Sequence, residues 1–244
     1  MSAAIYDAHV HFGPSTQWVP YINPEVSIED VLREMEGHNI KRSIAFPNPH
    51  VGDKYPKLND MVAKADRTYP SKIIGFGRVD PRRGEEAVSE ITRIHELGLR
   101  GVKLHPYVEC FRPDHPFFDG FFGTINELDM IILIHTGTLF SSPGYIKQVL
   151  KKYPDMKVIL GHLQEGCISL MRDYENVYSD TSGCRVHLLE HASESCEDKI
   201  MFGSDYPYLN HRVQMEVVSA AEISEKSRNK IFAGNFERLF PTLP

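Results

Sequence analysis

Cysteine is scarce and unpatterned. The four present (Cys110, Cys167, Cys184 and Cys196) fall at no paired spacing, which argues against a disulfide framework and for reduced thiols. Long apolar runs are missing too: the longest clean one, Met130 to Ile134, is far too short to span a bilayer. No basic run exists and the formal net charge is -6, which excludes an electrostatic grip on nucleic acid. The residues before Ile5 carry no charged n-region, so no signal peptide is expected. Tryptophan occurs once, as Trp18, and no linker, repeat or low-complexity segment interrupts the chain. Together these absences predict a soluble, cytoplasmic protein with no membrane or nucleic-acid partner.

Hydrophobic content of 41% and charged content of 25% are those of an ordinary globular protein. The length of 244 residues suits one α/β barrel domain spanning 1–244. The chain opens on Tyr6-Asp7-Ala8-His9-Val10-His11-Phe12-Gly13. Strand residues alternate faces, so His9 and His11 point the same way, roughly 6–7 Å apart. Ser27 and Asp30 form a capping-box pattern ahead of apolar residues at helical spacing. Strands are expected at Ser43 to Phe46, Ile73 to Val79, Gly101 to His105, Met130 to His135, Lys157 to His162, Val177 to Thr181 and Ile200 to Asp205. Helical patterns separate them, including Leu58 to Thr68, Gly84 to Leu97 and a last helix near Asn235 to Phe240. Eight strands alternating with helices predict a single (β/α)8 TIM barrel with a C-terminal helix. An open doubly wound sheet is the alternative, but no early strand is followed by a glycine-rich dinucleotide turn.

In such barrels the working face lies at the C-terminal ends of the strands. Five strands here end in a potential metal ligand: His9 and His11, His105, His135, His162 and Asp205. Buried ionisable groups are costly unless paired or coordinated, so the coincidence, rather than any one histidine, is the signal. Asp-Ala-His-Val-His, Gly-Val-Lys-Leu-His-Pro, Leu-Ile-His-Thr-Gly, Ile-Leu-Gly-His, Phe-Gly-Ser-Asp-Tyr-Pro and the closing Gly-Asn-Phe-Glu-Arg-Leu-Phe follow one another in this order. The set resembles the amidohydrolase superfamily, and within it the amidohydrolase-related branch that also contains metal-dependent nonoxidative decarboxylases.

That resemblance implies roles residue by residue. His9, His11, His135 and Asp205 match metal ligands, and Asp205 also matches the aspartate that moves protons. His162 matches a histidine that orients or polarises substrate in one-metal members and joins the second ion in two-metal members. Lys103 sits where two-metal members carry a carboxylated lysine; the alternative is an unmodified cation facing a substrate carboxylate. His105, two residues on and on the same face, is a partner of the ligands or a substrate contact. Arg78 and Tyr206 are further candidates for substrate binding, although Arg78 can equally form a structural pair with Asp80. A nitrogen-rich donor set favours zinc while tolerating manganese or iron, and one ion is preferred over two.

The expected activity is hydrolysis of a small ester, lactone or amide by metal-activated water, with Asp205 as general base and then acid. The alternative is nonoxidative decarboxylation of an aromatic or unsaturated acid on the same constellation; the compactness of the chain leans towards hydrolysis. A phosphoesterase or nuclease, and an inactive binding barrel, rank below both. A homo-oligomer is compatible with this reading. His38, His95 and His191 read as surface or helix-end residues, Asp180 as a loop- or ligand-positioning residue and His211 as a loop residue, while Trp18, Tyr107, Tyr206 and Tyr208 follow barrel strands and either line the pocket or cover the barrel mouth. Substrate choice is expected to lie in the loops Phe12 to Val26 and Tyr107 to Phe118.

Overall fold

The structure is a computed structural model that describes residues 4–15, 25–50 and 52–241. Trp18 and the centre of the loop after the first strand lie outside the described residues. The first half runs β1 (Ile5–Phe12), α1 (Ile28–Gly37), β2 (Ile40–Pro47), α2 (Tyr55–Thr68), β3 (Ile73–Arg78), α3 (Glu85–Glu96), β4 (Gly101–Leu104) and α4 (Asp119–Glu127). The second half runs β5 (Ile131–His135), α5 (Pro143–Lys152), β6 (Val158–Gly161), α6 (Glu165–Asp173), β7 (Val177–Asp180), α7 (Val186–Cys196), β8 (Ile200–Met201) and α8 (His211–Ala220). Two short helices, α9 (Glu225–Asn229) and α10 (Asn235–Leu239), end the described chain.

All eight strands are parallel and pair in sequence order. The sheet then closes on itself. Ala8 N donates to Phe202 O at 2.9 Å, Asp205 N to His9 O at 2.8 Å and His11 N to Tyr206 O at 2.8 Å. The result is the expected TIM barrel. Its last strand differs from the sequence expectation: the β7 pairing stops at Met201, and residues 202–206 bond to β1 instead. A register irregularity between Asp7 and Val10 accompanies that switch. Local signals hold elsewhere; Ser27 caps α1 with the full reciprocal capping box. Helix α2 begins three residues before the expected Leu58, with proline in its first turn, where a missing N–H costs nothing.

Alternation along the strands sorts the core into two layers. Ala8, Ile44, Phe46, Ile74, Phe76, Ile131, Leu133, Ile159 and Met201 fill the barrel interior. The opposite faces, including Val10, Phe12, Ala45, Val102 and Ile132, pack against the helices. Phe236 of α10 joins the interior cluster and stacks on Tyr6 with centroids 5.0 Å apart. Position by position, Ile131 and Leu133 lead up to His135, Phe76 to Arg78, and Gly101 to Lys103 and His105. The period of two therefore delivers polar side chains to the upper interior, where the apolar filling stops.

Candidate metal centre and its pocket

His9, Lys103 and Asp180 are wholly buried, and His11 and His105 nearly so. Burial and the neighbouring Lys103 hold the His9 imidazole down at about 4, against the pull of Asp180 and Asp205. Burial likewise keeps His11, His105 and His135 neutral, well below the ordinary imidazole range. A neutral imidazole is the form that binds a metal ion.

Asp180, at the end of β7, sets the tautomer of His9. Its Oδ2 lies 2.7 Å from His9 Nδ1, while its Oδ1 accepts from the backbone N–H groups of His162 at 3.2 Å and Ser182 at 3.0 Å. Burial works against the Asp180 charge, but the His9 contact outweighs it and leaves the carboxyl well below its usual range. With Nδ1 donating to Asp180, the Nε2 lone pair of His9 faces the interior. There Asp205 Oδ1 stands 3.3 Å from His9 Nε2 and 3.1 Å from His11 Nε2. Donor atoms about 2.0–2.2 Å from one tetrahedral ion are separated by roughly 3.3–3.6 Å; the two contacts of Asp205 come near that edge, and the three donor atoms lie within 4.8 Å of one another. His135 Nε2, buried with no hydrogen-bond partner among the described residues, is a further donor available to a metal ion. These residues fit a divalent metal ion.

The remaining members surround the trio. The His135 ring stacks on His105, 3.7 Å between centroids, and meets His162 edge-on at 4.5 Å. His162 Nδ1 lies 3.1 Å from the carbonyl oxygen of Ser182, which only accepts, so Nδ1 is the donor and, in the neutral ring, Nε2 is bare. A second constellation, His9, His162 and Asp180, also converges. Lys103 Nζ is 2.9 Å from His9 Nε2 and 4.8 Å above the Phe46 ring. Burial pushes its pKa down to about 7, opposed by Asp205 and Asp180. His162 (φ 65°) and Asp205 (φ 56°) both occupy the left-handed region, where non-glycine residues are uncommon and are held by their surroundings.

A cavity of about 240 Å³ opens above this floor, lined by His11, Lys103, His105, His135, His162 and Asp205. Tyr107, Thr138, Pro49 and Tyr208 complete it. Two expected substrate contacts are absent from that lining. Arg78 is wholly buried and spends its guanidinium on Glu109, 2.8 Å away, rather than on Asp80, which pairs with Arg82. Glu109 also accepts from Tyr55 Oη at 2.9 Å and from the backbone N–H of His105 at 2.7 Å. Arg78 thus braces the loop after β4. Tyr206 turns outward onto His211, with rings 4.9 Å apart. Tyr208 reaches the cavity in its place because the chain reverses at Asp205, whose carbonyl accepts from Tyr208 N at 2.9 Å. Glu109 and Ser182 went unnoticed in the sequence, since both sit in aperiodic loops.

Several known proteins share this frame. A gamma-resorcylate decarboxylase from Polaromonas sp. (strain JS666 / ATCC BAA-500) is 24% identical over 300 aligned positions, covering 94% of this chain and 92% of that protein. A 4-sulfomuconolactone hydrolase from Rhizobium radiobacter is 30% identical over 144 residues, 53% of this chain and 44% of that protein. Among solved structures, a dihydroxybenzoic acid decarboxylase from Polaromonas sp. JS666, with bound manganese and the inhibitor 2-nitroresorcinol, superposes with a TM-score of 0.80 at 22% identity. That superposition covers 98% of this chain and 97% of the other. The amidohydrolase family model matches residues 6–242, nearly the whole sequence. By that match, the histidine-rich barrel described above belongs to the amidohydrolase family.

Proposed function

We propose that the chain is a divalent-metal-dependent, nonoxidative decarboxylase of a small aromatic acid bearing a ring hydroxyl. The observation that carries this reading is the alignment with gamma-resorcylate decarboxylase across nine-tenths of both chains. It reverses the order in which the sequence alone ranks the two chemistries. Chain length loses its force as evidence for hydrolysis, because that alignment runs over 300 positions, more than the 244 residues present here. The relative's extra length is therefore insertion into a shared frame.

In this reading His9, His11, His135 and Asp205 hold one ion. When bound, the ion would supply Lewis acidity that stabilises negative charge on the substrate. Manganese or zinc suits the mixed nitrogen and oxygen donors. Lys103, as a plain uncarboxylated amine, offers a cation to the anionic substrate. The bare Nε2 of His162 accepts the proton of the ring hydroxyl. His105 and Tyr208 border the aromatic ring. The bond between ring carbon and carboxylate breaks, its electron pair stays on the ring carbon, and Asp205 Oδ2, protonated from solvent beforehand, delivers the proton that replaces carbon dioxide, while His162 returns the hydroxyl proton to the phenolate product. Neutral imidazoles and Phe46 make a poorly solvating floor, which costs a carboxylate its hydration and costs neutral carbon dioxide little.

The test is product analysis. Manganese-loaded protein given carboxyl-labelled hydroxybenzoates is expected to release labelled carbon dioxide and the corresponding phenol. Asp205→Asn should lower turnover by about 10²–10⁴-fold, the range for loss of a general acid. The match to 4-sulfomuconolactone hydrolase supports lactone hydrolysis as a second reading. Incorporation of heavy oxygen from water into a lactone product, with no carbon dioxide from any aromatic acid, would establish that reading and overturn the first.

A further inference from the structure

A second group of ionisable side chains converges outside the barrel, between α1 and α8 and against β1. Asp7 and His211 are buried, at 0% and 1% exposure. Glu34 on α1 and His38, the residue that caps its C-terminus, stand four residues apart, with side chains 39% and 25% exposed. Glu34 Oε2 lies 3.5 Å from His38 Nε2 and 3.5 Å from His211 Nδ1, and Asp7 Oδ2 lies 3.3 Å from His211 Nε2. None of these contacts satisfies hydrogen bonding at the buried end: among the described residues, neither ring nitrogen of His211 nor Asp7 Oδ2 has a hydrogen-bond partner. A buried imidazole with two idle nitrogens facing carboxylates is costly as it stands. An ordinary ion pair between Glu34 and His38 would be complete on the surface of α1, and would leave His211 and Asp7 unexplained.

We propose that Glu34, His38 and His211 form a peripheral site for a zinc-like divalent transition metal ion, with Asp7 holding His211 in place. Separations of 3.5 Å are long for hydrogen bonds but equal the donor–donor edges of a tetrahedral site, roughly 3.3–3.6 Å. The donor atoms of all three residues lie within 4.8 Å of one another. Asp7 supplies the carboxylate that metal-bound histidines characteristically engage through their other nitrogen. The catalytic centre uses the same device, with Asp180 behind His9. Glu34 and Asp7 together balance two positive charges. Three protein ligands leave a position for water, and the exposure of Glu34 and His38 gives the ion a way in, so the site exchanges metal with solvent.

Zinc binding to the full chain, by equilibrium dialysis and elemental analysis, tests this against a Glu34→Gln/His38→Gln double variant. The wild type is expected to bind one zinc ion more per chain than the variant, or to bind that equivalent more than about tenfold tighter. Cobalt should report the same difference as visible absorption of tetrahedral type in the wild type beyond that of the centre around His9 and His11, which both proteins share. Equal zinc stoichiometry and affinity in the two proteins overturns the proposal. Should the double variant not fold, His38→Gln alone, at the exposed end of α1, carries the same test with the same two outcomes. The centre around His9 and His11 is untouched by either substitution, so loss of its ion would also count against the assignment.

Discussion

Asp180 has no spare oxygen. One faces His9 Nδ1 and the other takes two backbone N–H groups, so every donor around it points at an acceptor that a carboxylate alone supplies twice. In Asp180→Asn one of the two positions becomes an NH₂ group facing another N–H. The expected result is a 10–100-fold loss of metal affinity in a competition assay with a chelator, the range for partners behind metal ligands. Arg78 makes the complementary case. Glu109→Ala would strand a wholly buried guanidinium and should lower stability by about 3–5 kcal/mol in urea unfolding. The double variant Arg78→Met/Glu109→Leu should recover much of that loss, because the cost lies in the unpaired charge rather than in the missing bridge. The side-chain types at the centre were legible in the sequence. Their partners were less so: Glu109, Ser182 and Asp7 act through contacts that no short-range spacing encodes.

At the scale of elements, the strands show why so much was readable. Ile131, Leu133 and His135 share one face by simple alternation, and a ligand that follows two core residues at period two must sit at the top of the interior. The capping box and the glycine and proline stops fixed helix ends for the same reason: each is a local, few-residue interaction. The seam between the last strand and the first was not readable, since residues 202–206 leave β7 for β1 through a non-local pairing. Beyond it Tyr208 lines the cavity and Tyr206 does not, as the chain turns at Asp205, whose backbone is left-handed. Close approach across this region is exacting. A Cβ at Gly203 would stand 2.9 Å from Asp180 Cβ and 3.0 Å from its Cγ. Gly203→Ala is therefore expected to displace Asp180 and weaken metal binding at least tenfold, while far-ultraviolet circular dichroism at low temperature stays unchanged.

For the molecule as a whole, the buried imidazoles couple stability to pH. Below about 6.5 an unfolded chain takes up protons on His9 that the folded chain refuses until about 4. The unfolded state binds more protons across that window, so stability falls as pH falls from 6.5 towards 4. His9 alone accounts for about 3 kcal/mol, and His11, His105 and His135 act in the same direction. The depressed Asp180 extends the loss below pH 3.8, where the unfolded carboxylate begins to protonate first. Metal-free protein should show a melting temperature that drops steadily over pH 6.5–4, and metal at 100-fold its Kd should add about 2.7 kcal/mol near neutrality. A flat profile would show that these rings take up protons in the folded state.

The seam between β1 and residues 202–206 has a bearing on how the chain is made. Residue 8 finds its partner only when residue 202 has been synthesised. At the ribosome, β1 waits with one side unpaired throughout the translation of every other strand. The nascent chain accordingly presents an open edge for about ten to forty seconds at ordinary elongation rates, the interval in which a chaperone has most to do.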